Sequence, residues 1–350
     1  MSEHRKKSLW RRVRHALHKV SYAKKWLIPA ILAAVVILCA SALWLTGNLR
    51  SMEAGHVTAA NPHTVGGGYR NITYKGREYR YNTRITAVLF VGLDSQGDLK
   101  PNETFISAPN ADSISLVVLD NYHKKMTIMA INRNTICTIH RYSRHGYDLG
   151  EFSDPVCLAY AYGENGEVSC QNLMNAVSGI LYGMPIHDYV VTNRASLPLL
   201  SRELGDVTLT VPNDDLLDYG YAKGDQIVVN ADNIEMFVRK RDVNQHGSSI
   251  LRMERQKAFI NATVDRIVEL IEGDPTGVWK SIEAAENYVR TSVTRSQYLD
   301  LCKLLSGVTY DAGNYYSPEG VNKSGALWAE FYPDEEKLLE KIVEVFYIPA

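Results

Sequence analysis

The hydrophobic pattern of the chain changes character twice. Residues 26–49 (WLIPAILAAVVILCASALWLTGNL) form one apolar run without a charged side chain, residues 50–82 show no sustained period, and from residue 83 short apolar runs mix with amphipathic stretches. In this last part, residues 85–92 (ITAVLFVG), 113–120 (SISLVVLD) and 125–132 (KMTIMAIN) have strand length and turn residues at their ends. Such runs predict strands covered on both faces. Only NYHK separates the second from the third, so these two are expected to pair as an antiparallel hairpin.

Helix-period patterns follow. Over 171–182, Leu173, Val177, Ile180 and Leu181 share one face, and Gly183-Met184-Pro185 ends the helix. Residues 189–191 and 207–211 read as strands, with a helix over 196–204 between them. Further helices are expected at 231–238, 250–271, 278–288, 296–305 and 335–346. Strands mixed with helices throughout predict an α/β fold, a three-layer α-β-α domain around a central mixed sheet spanning 83–350. No internal repeat or low-complexity tract interrupts it.

The first run is long enough to cross a membrane. About 20 apolar residues span the hydrocarbon core, and Trp26 and Trp44 stand where interfacial anchors belong. Residues 26–46 are therefore expected to be a transmembrane helix, although Ala40-Ser41-Ala42 also suits a signal-peptide cleavage site. Charge sharpens this. The 350 residues sum to a formal net charge of −1, yet residues 1–25 hold nine Lys or Arg against one acid, Glu3. Positive charge gathered before an apolar run places 1–25 in the cytoplasm, 47–82 outside as a stalk rich in Gly, Asn, His and Thr, and the domain outside the cell membrane. Basic residues confined to a tail exclude a globally basic nucleic-acid binder. The 45% hydrophobic content excludes a disordered chain. Outside the span, Cys137, Cys157, Cys170 and Cys302 show no zinc-ligand spacing; Cys157 and Cys170 either pair or stay free.

No nucleophile elbow, P-loop, dinucleotide fingerprint or HExxH is present. The candidate chemistry is a set of charged residues at element ends. Asp94 closes the first strand and Asp112 opens the second, so both are expected at one sheet edge, where open α/β folds place ligands. Two carboxylates held together call for a cation, and hard oxygen ligands suit magnesium. Arg133 follows the third strand. Arg239 and Arg241 in VRKRD diverge on a helix and converge only if the helix stops near Val238. Arg252 and Gln256, at i and i+4, share a helix face. Arginines with a hard cation suit a phosphate-rich anion.

These segments also carry a resemblance. The order of a single N-terminal span, GLDS, an Asp before SISLVVLD, NRNT, IHDYVV, LSRELGDVTLTVP, FVRKRD and LRMERQ resembles the LytR-CpsA-Psr family of wall glycopolymer transferases over residues 85–271. The resemblance implies a Mg²⁺-dependent phosphotransferase at the outer face of the membrane. Its donor would be a glycopolymer, such as a teichoic acid or capsular polysaccharide, on an undecaprenyl pyrophosphate carrier, and its acceptor a hydroxyl of peptidoglycan. Carried over by position, Asp94 and Asp112 would be metal and active-site aspartates, Arg133 a catalytic arginine, and Arg133, Arg239, Arg241, Arg252 and Gln256 the pyrophosphate grip. The lipid would lie in an apolar tunnel. Tethering an enzyme in the plane of a lipid donor raises the effective concentration of both.

Two positions depart from the family pattern. Asn110 stands where an arginine is usual, and Asn134 where an aspartate follows the turn arginine. Loss of one charge-assisted contact in a catalytic site costs about 2–4 kcal/mol in the transition state. The departures keep open a non-catalytic protein that binds polyprenyl-linked glycopolymer, and a structural wall-interaction domain.

Overall fold

The computed structural model describes residues 71–350 except 100–107, 144, 146, 164–165, 243–247, 306–307, 326 and 328. The chain enters through a hairpin, β1 (Asn71–Tyr74) and β2 (Arg77–Tyr81), and continues into β3 (Ile85–Leu93), β4 (Ala111–Asp120) and β5 (Lys125–Ile131). A second hairpin, β6 (Ile136–Tyr142) and β7 (Asp148–Pro155), leads to α1 (Leu158–Ala161) and α2 (Gly166–Ile180). Then come β8 (Asp188–Asn193), α3 (Leu197–Leu204), β9 (Val207–Thr210), β10 (Gln226–Val229), α4 (Ile234–Arg239), α5 (Ser248–Gly273) and α6 (Pro275–Ala284). The rest comprises β11 (Val289–Thr291), α7 (Arg295–Leu305), β12 (Tyr315–Tyr316), β13 (Gly320–Ser324), β14 (Ala329–Pro333), α8 (Glu335–Phe346) and β15 (Tyr347–Pro349).

The central sheet has six strands in the order β11-β8-β3-β4-β5-β12 and is mixed. β3, β4 and β5 run antiparallel, with the expected tight hairpin between β4 and β5, while β8 lies parallel to β3 and β12 parallel to β5. Alternation along the strands builds two cores. Val88 and Phe90 of β3 with Val117 and Leu119 of β4 face a layer made by α3 to α7; Ala87, Leu89 and Val91 with Leu116 and Val118 face α1, α2 and α8. Each fully buried aliphatic side chain contributes about 1.5–3 kcal/mol, which explains why these strands read as continuous apolar runs. The three-layer α-β-α arrangement is thus the one the pattern predicts.

Several boundaries differ from the sequence expectation. Residues 71–81, read as the end of a stalk, form the β1–β2 hairpin, and β2 pairs with β15 near the far end of the chain. The folded unit therefore reaches back to Asn71, ahead of the expected start at 83. Lys75 and Gly76 make the turn, both with positive φ (46° and 76°), which glycine tolerates without strain. The helix expected over 278–288 starts earlier, at Pro275 with Asp274 accepting the Gly277 N–H (2.8 Å), and yields to β11 on the sheet edge. The four cysteines named above are free thiols, so Cys157 and Cys170 do not pair. The tail 1–25, the span 26–46 and the stalk 47–70 lie outside the described residues. Among the described residues, no helix is long and apolar enough to cross a membrane.

Candidate functional site: an arginine-ringed carboxylate at the mouth of an apolar cavity

One edge of the central sheet collects the ends of four strands. β8 and β3 finish there, and Asn193 and Leu93 are partners in the parallel ladder, so Arg194 and Asp94 leave the sheet side by side. β4 begins at the same edge with Ala111 and Asp112, and β5 ends there just before Asn132 and Arg133.

Asp112 occupies a special place in its strand. Gly92 pairs with Ser113 and Leu93 with Ala111, which leaves Asp112 as an extra residue without a partner in β3. Such a bulge bends the strand and re-aims a side chain. Strict alternation would place Asp112 on the face of Ile114, towards α1 and α2; instead it lines the opposite side together with Ser113.

Arginines surround it. Arg133 donates to Asp112 Oδ1, Arg239 Nη2 donates to Oδ2 (2.9 Å), and Arg252 reaches both Oδ2 (3.4 Å) and the Asp112 carbonyl (2.8 Å). Burial alone would raise the Asp112 pKa; Arg133, Arg252 and Arg239 more than reverse it and hold the carboxyl below its ordinary value. Arg252, almost wholly enclosed, is pushed down to about 10, chiefly by burial and then by Arg133, Arg241 and Arg239. It stays charged at neutral pH. Burial opposes the charge on Arg133 as well, yet Cys157 and Asp112 beside it keep its pKa above the ordinary value.

Local sequence explains how each group is held. Asn132 folds the turn after β5, since its side-chain oxygen accepts the Asn134 N–H (3.0 Å) and its carbonyl accepts from the Thr135 hydroxyl (2.7 Å). Arg133 is braced from behind by Cys157, whose sulfur accepts from Nη2 (3.4 Å) and whose N–H meets the Arg133 carbonyl (3.1 Å). α4 ends at Arg239 and Lys240 is extended (φ −50°, ψ 135°), which is the helix stop required for Arg239 and Arg241 to share a neighbourhood. Arg241 is half-buried; burial, then Arg133, lowers its pKa. Gln256 donates to the Val238 carbonyl (3.1 Å) and accepts from Ser113 (3.5 Å). Asp94 accepts from the Asn110 N–H (2.8 Å) and side-chain amide (3.4 Å). Asn110 thus engages this carboxylate with neutral donors.

The sequence expectation omitted three residues of this neighbourhood. Arg255, fully buried, pairs with Asp215 (2.6 Å) and donates to the carbonyls of Phe237 (2.7 Å) and Lys240, fixing the end of α4 that presents Arg239 and Arg241. Arg194 and Glu235 sit at the mouth as an ion pair (2.5 Å), and Glu235 also accepts from Arg239 (3.2 Å). Arg255 lies between Arg252 and Gln256 in LRMERQ and reads there as a solvated charge; no periodicity marks it as buried.

Behind the mouth lies a cavity of about 200 Å³. Its rim carries Asp112, Arg194, Arg239, Arg252 and Gln256, and its interior is apolar, with Phe90, Val117 and Ile128 from the sheet and Leu200 and Leu204 from α3. α5 supplies one wall as a stripe, from Arg252 and Gln256 through Phe259, Ile260 and Thr263 to Val264 and Ile267. The spacing keeps these on one face, polar at the mouth and apolar inside.

The chemistry of the edge can be tested against magnesium. Among the described residues, no three His, Cys, Asp or Glu side chains gather to hold a metal ion. Mg²⁺ is commonly held by one or two carboxylates together with substrate phosphates and water. Asp94 and Asp112 are donors of the right chemical type at one sheet edge, but both Asp112 oxygens are engaged by arginines and Asp94 accepts from Asn110, so the two do not make a cage on their own.

The LytR_cpsA_psr family model matches residues 57–328. The chain belongs to that family. LytR-CpsA-Psr proteins are cell-wall glycopolymer transferases, and membership supports a transferase of that broad kind here. Solved structures share the fold. Bacillus subtilis TagV is similar at 22% identity over 75% of this chain and 96% of its own (TM-score 0.54). The gbs0355 protein of Streptococcus agalactiae is similar at 16% over 75% and 88% (TM-score 0.57). TagT bound to LIIa-WTA is similar at 17% over 79% and 95% (TM-score 0.53). No curated protein matches the chain in sequence.

Proposed function

We propose that this LytR-CpsA-Psr protein transfers the glycosyl phosphate of a polyprenyl-pyrophosphate-linked glycopolymer to a hydroxyl of peptidoglycan, at the outer face of the membrane that residues 26–46 would span. The observation that carries the reading is the joining of a guanidinium-lined rim to an apolar cavity, a shape that suits a ligand with a diphosphate head and a hydrocarbon tail. The structural similarity to TagT bound to LIIa-WTA supports it.

In this reading the acceptor hydroxyl attacks the sugar-proximal phosphorus. A new P–O bond forms to the acceptor, whose hydroxyl proton passes to solvent, the bridging P–O bond breaks, and the polyprenyl phosphate leaves with the bridging oxygen and its electron pair. Charge builds on that oxygen. Arg133, Arg239, Arg241 and Arg252 would stabilise it, fixed beforehand by Asp112, Cys157 and Arg255, so that little reorganisation is needed as the charge develops. Gln256 would orient the phosphate from the same wall of α5. Asp94 and Asp112 would hold Mg²⁺ with the phosphate oxygens, and the ion would supply neutralisation of the diphosphate charge. The apolar cavity keeps the tail out of water.

A second reading, a protein that holds the lipid-linked polymer without turnover, is favoured by the engagement of both Asp112 carboxylate oxygens by arginines. One experiment separates the two. The full chain in lipid nanodiscs is given a synthetic polyprenyl-pyrophosphate oligosaccharide, Mg²⁺ and peptidoglycan. Polyprenyl phosphate release and sugar attachment to peptidoglycan, both stopped by EDTA, are expected; binding without release would select the holding protein, and no binding would reject both.

A further inference from the structure

Along the sheet edge, in strand order, stand Arg194 after β8, Asp94 after β3, Asp112 at the bulge of β4 and Arg133 after β5. The two acids lie between two cations. With about 4.8 Å between neighbouring strands, Arg194 and Arg133 start roughly 14 Å apart, on opposite flanks of the mouth. Long guanidinium side chains from both sides can close on one extended anion, and neither alone covers its length.

Arg194 is built into this place. Its N–H donates to the Ser95 carbonyl (3.0 Å), and Asn193 before it donates to the Gly97 carbonyl (2.5 Å), so the loop after Asp94 is tied to the same point. Arg194 is among the residues that line the cavity, and its guanidinium is held through Nε (2.7 Å) and Nη2 (2.5 Å) by one oxygen of Glu235. That oxygen is shared with Arg239. Glu235 therefore draws a cation from each side towards a single point, and about a third of both the Arg194 and the Glu235 side chain stays open to solvent. Just ahead of β4, Asn110 brings no charge.

Resting on the proposed function, we propose that Arg194 is a further phosphate-binding residue of the site, and that it makes the site selective for a polyprenyl diphosphate over the corresponding monophosphate. A diphosphate reaches from the Arg133 and Arg252 side to Arg194, whereas a monophosphate leaves one flank empty. The same geometry gives product release a direction, because transfer of the glycosyl phosphate shortens the lipid head to a single phosphate and removes the ligand of Arg194. Glu235 is the counter-ion that holds the guanidinium in place between turnovers.

The test is equilibrium binding of polyprenyl diphosphate and polyprenyl monophosphate of equal chain length to the full chain in nanodiscs. Arg194→Gln is expected to weaken the diphosphate by about 10- to 100-fold, the size of one charge-assisted contact, and to change the monophosphate by no more than about twofold. Arg194→Lys keeps the charge without the fork and should recover part of the selectivity. Glu235→Gln frees Arg194 and should tighten the diphosphate more than the monophosphate, whereas loss of a merely structural ion pair would shift both lipids alike. Equal weakening of both lipids by Arg194→Gln, or no weakening, overturns the assignment of Arg194 and leaves the transferase reading standing. Failure of the unaltered protein to bind either lipid overturns both.

Discussion

Asp112→Asn isolates what the ringed carboxylate does. The change keeps the shape of the side chain and removes the anion shared by Arg133, Arg239 and Arg252. The carboxylate is only 12% exposed and Arg252 only 3%, so their ion pair is largely shielded from water. Removing one partner of a buried pair costs about 3–5 kcal/mol, and the partial opening of Arg239 puts the expected loss near the lower bound, roughly a hundredfold in the folding equilibrium. The loss should be recoverable. A diphosphate placed among the three cations replaces the missing anion, and a ligand stabilises the native state in proportion to its affinity. Urea titration of the full chain in detergent, with and without inorganic pyrophosphate, is the assay. The variant should unfold at lower urea alone and should gain more from pyrophosphate than the unaltered protein does. A midpoint equal to that of the unaltered protein, or no larger gain, would refute the role given to Asp112. The pH dependence follows. Because the native carboxyl lies below its ordinary value, its contribution is complete above about pH 4 and is lost as pH falls through the native value. The variant should lack that part of the acid limb.

Three further outcomes are expected. Arg255→Met leaves Asp215 buried without its partner and should cost about 3–5 kcal/mol in chemical denaturation; adding Asp215→Asn should restore part of it, and two independent, additive losses would contradict the pairing. Ser115→Leu fills the cavity floor beside Val117, so binding of a long polyprenyl diphosphate should fall at least about tenfold while inorganic pyrophosphate binds as before, and an equal loss for both would separate the cavity from the tail. The His187 ring accepts the Ala87 N–H (3.0 Å) and burial lowers its pKa, so its stability contribution is complete above about pH 6.5 and falls below it; His187→Gln should flatten the change in melting temperature between pH 7.5 and 5.5.

The strands of the core were legible because both faces of β3, β4 and β5 are covered, which writes them as apolar runs. The face of α5 was legible because only one side of the helix is covered, which leaves an apolar stripe at helical spacing. The β1–β2 hairpin was missed although Ile72, Tyr74, Tyr79 and Tyr81 alternate around Lys75-Gly76, because its short polar strands gain their cover from β15 more than two hundred residues away. β6 is mostly half-buried and β7 largely exposed, and neither carries an apolar period. Within the site, Asp112, Arg133 and Arg239 were singled out by their positions at element ends, and Arg252 and Gln256 by their shared face inside the long helix. Arg194 and Arg255 were not, since what distinguishes them is a partner far along the chain: Glu235 for one, Asp215 with the end of α4 for the other.

The unpaired residue in β4 turns chain length into chemistry. Removing Ala111 alone would delete no charge and no hydrogen-bonding side chain, yet it would let the ladder close without interruption and bring the carboxylate opposite Leu93, pointing into the layer of α1 and α2. There it would meet the apolar core under α1 and α2 in place of guanidinium groups, at a cost of several kcal/mol for an ion left in apolar surroundings. A deletion that spares every candidate site residue should therefore disable the protein as thoroughly as removing Asp112 itself, and a gap shifted by one place when relatives are aligned would put the acid on the wrong side of the sheet.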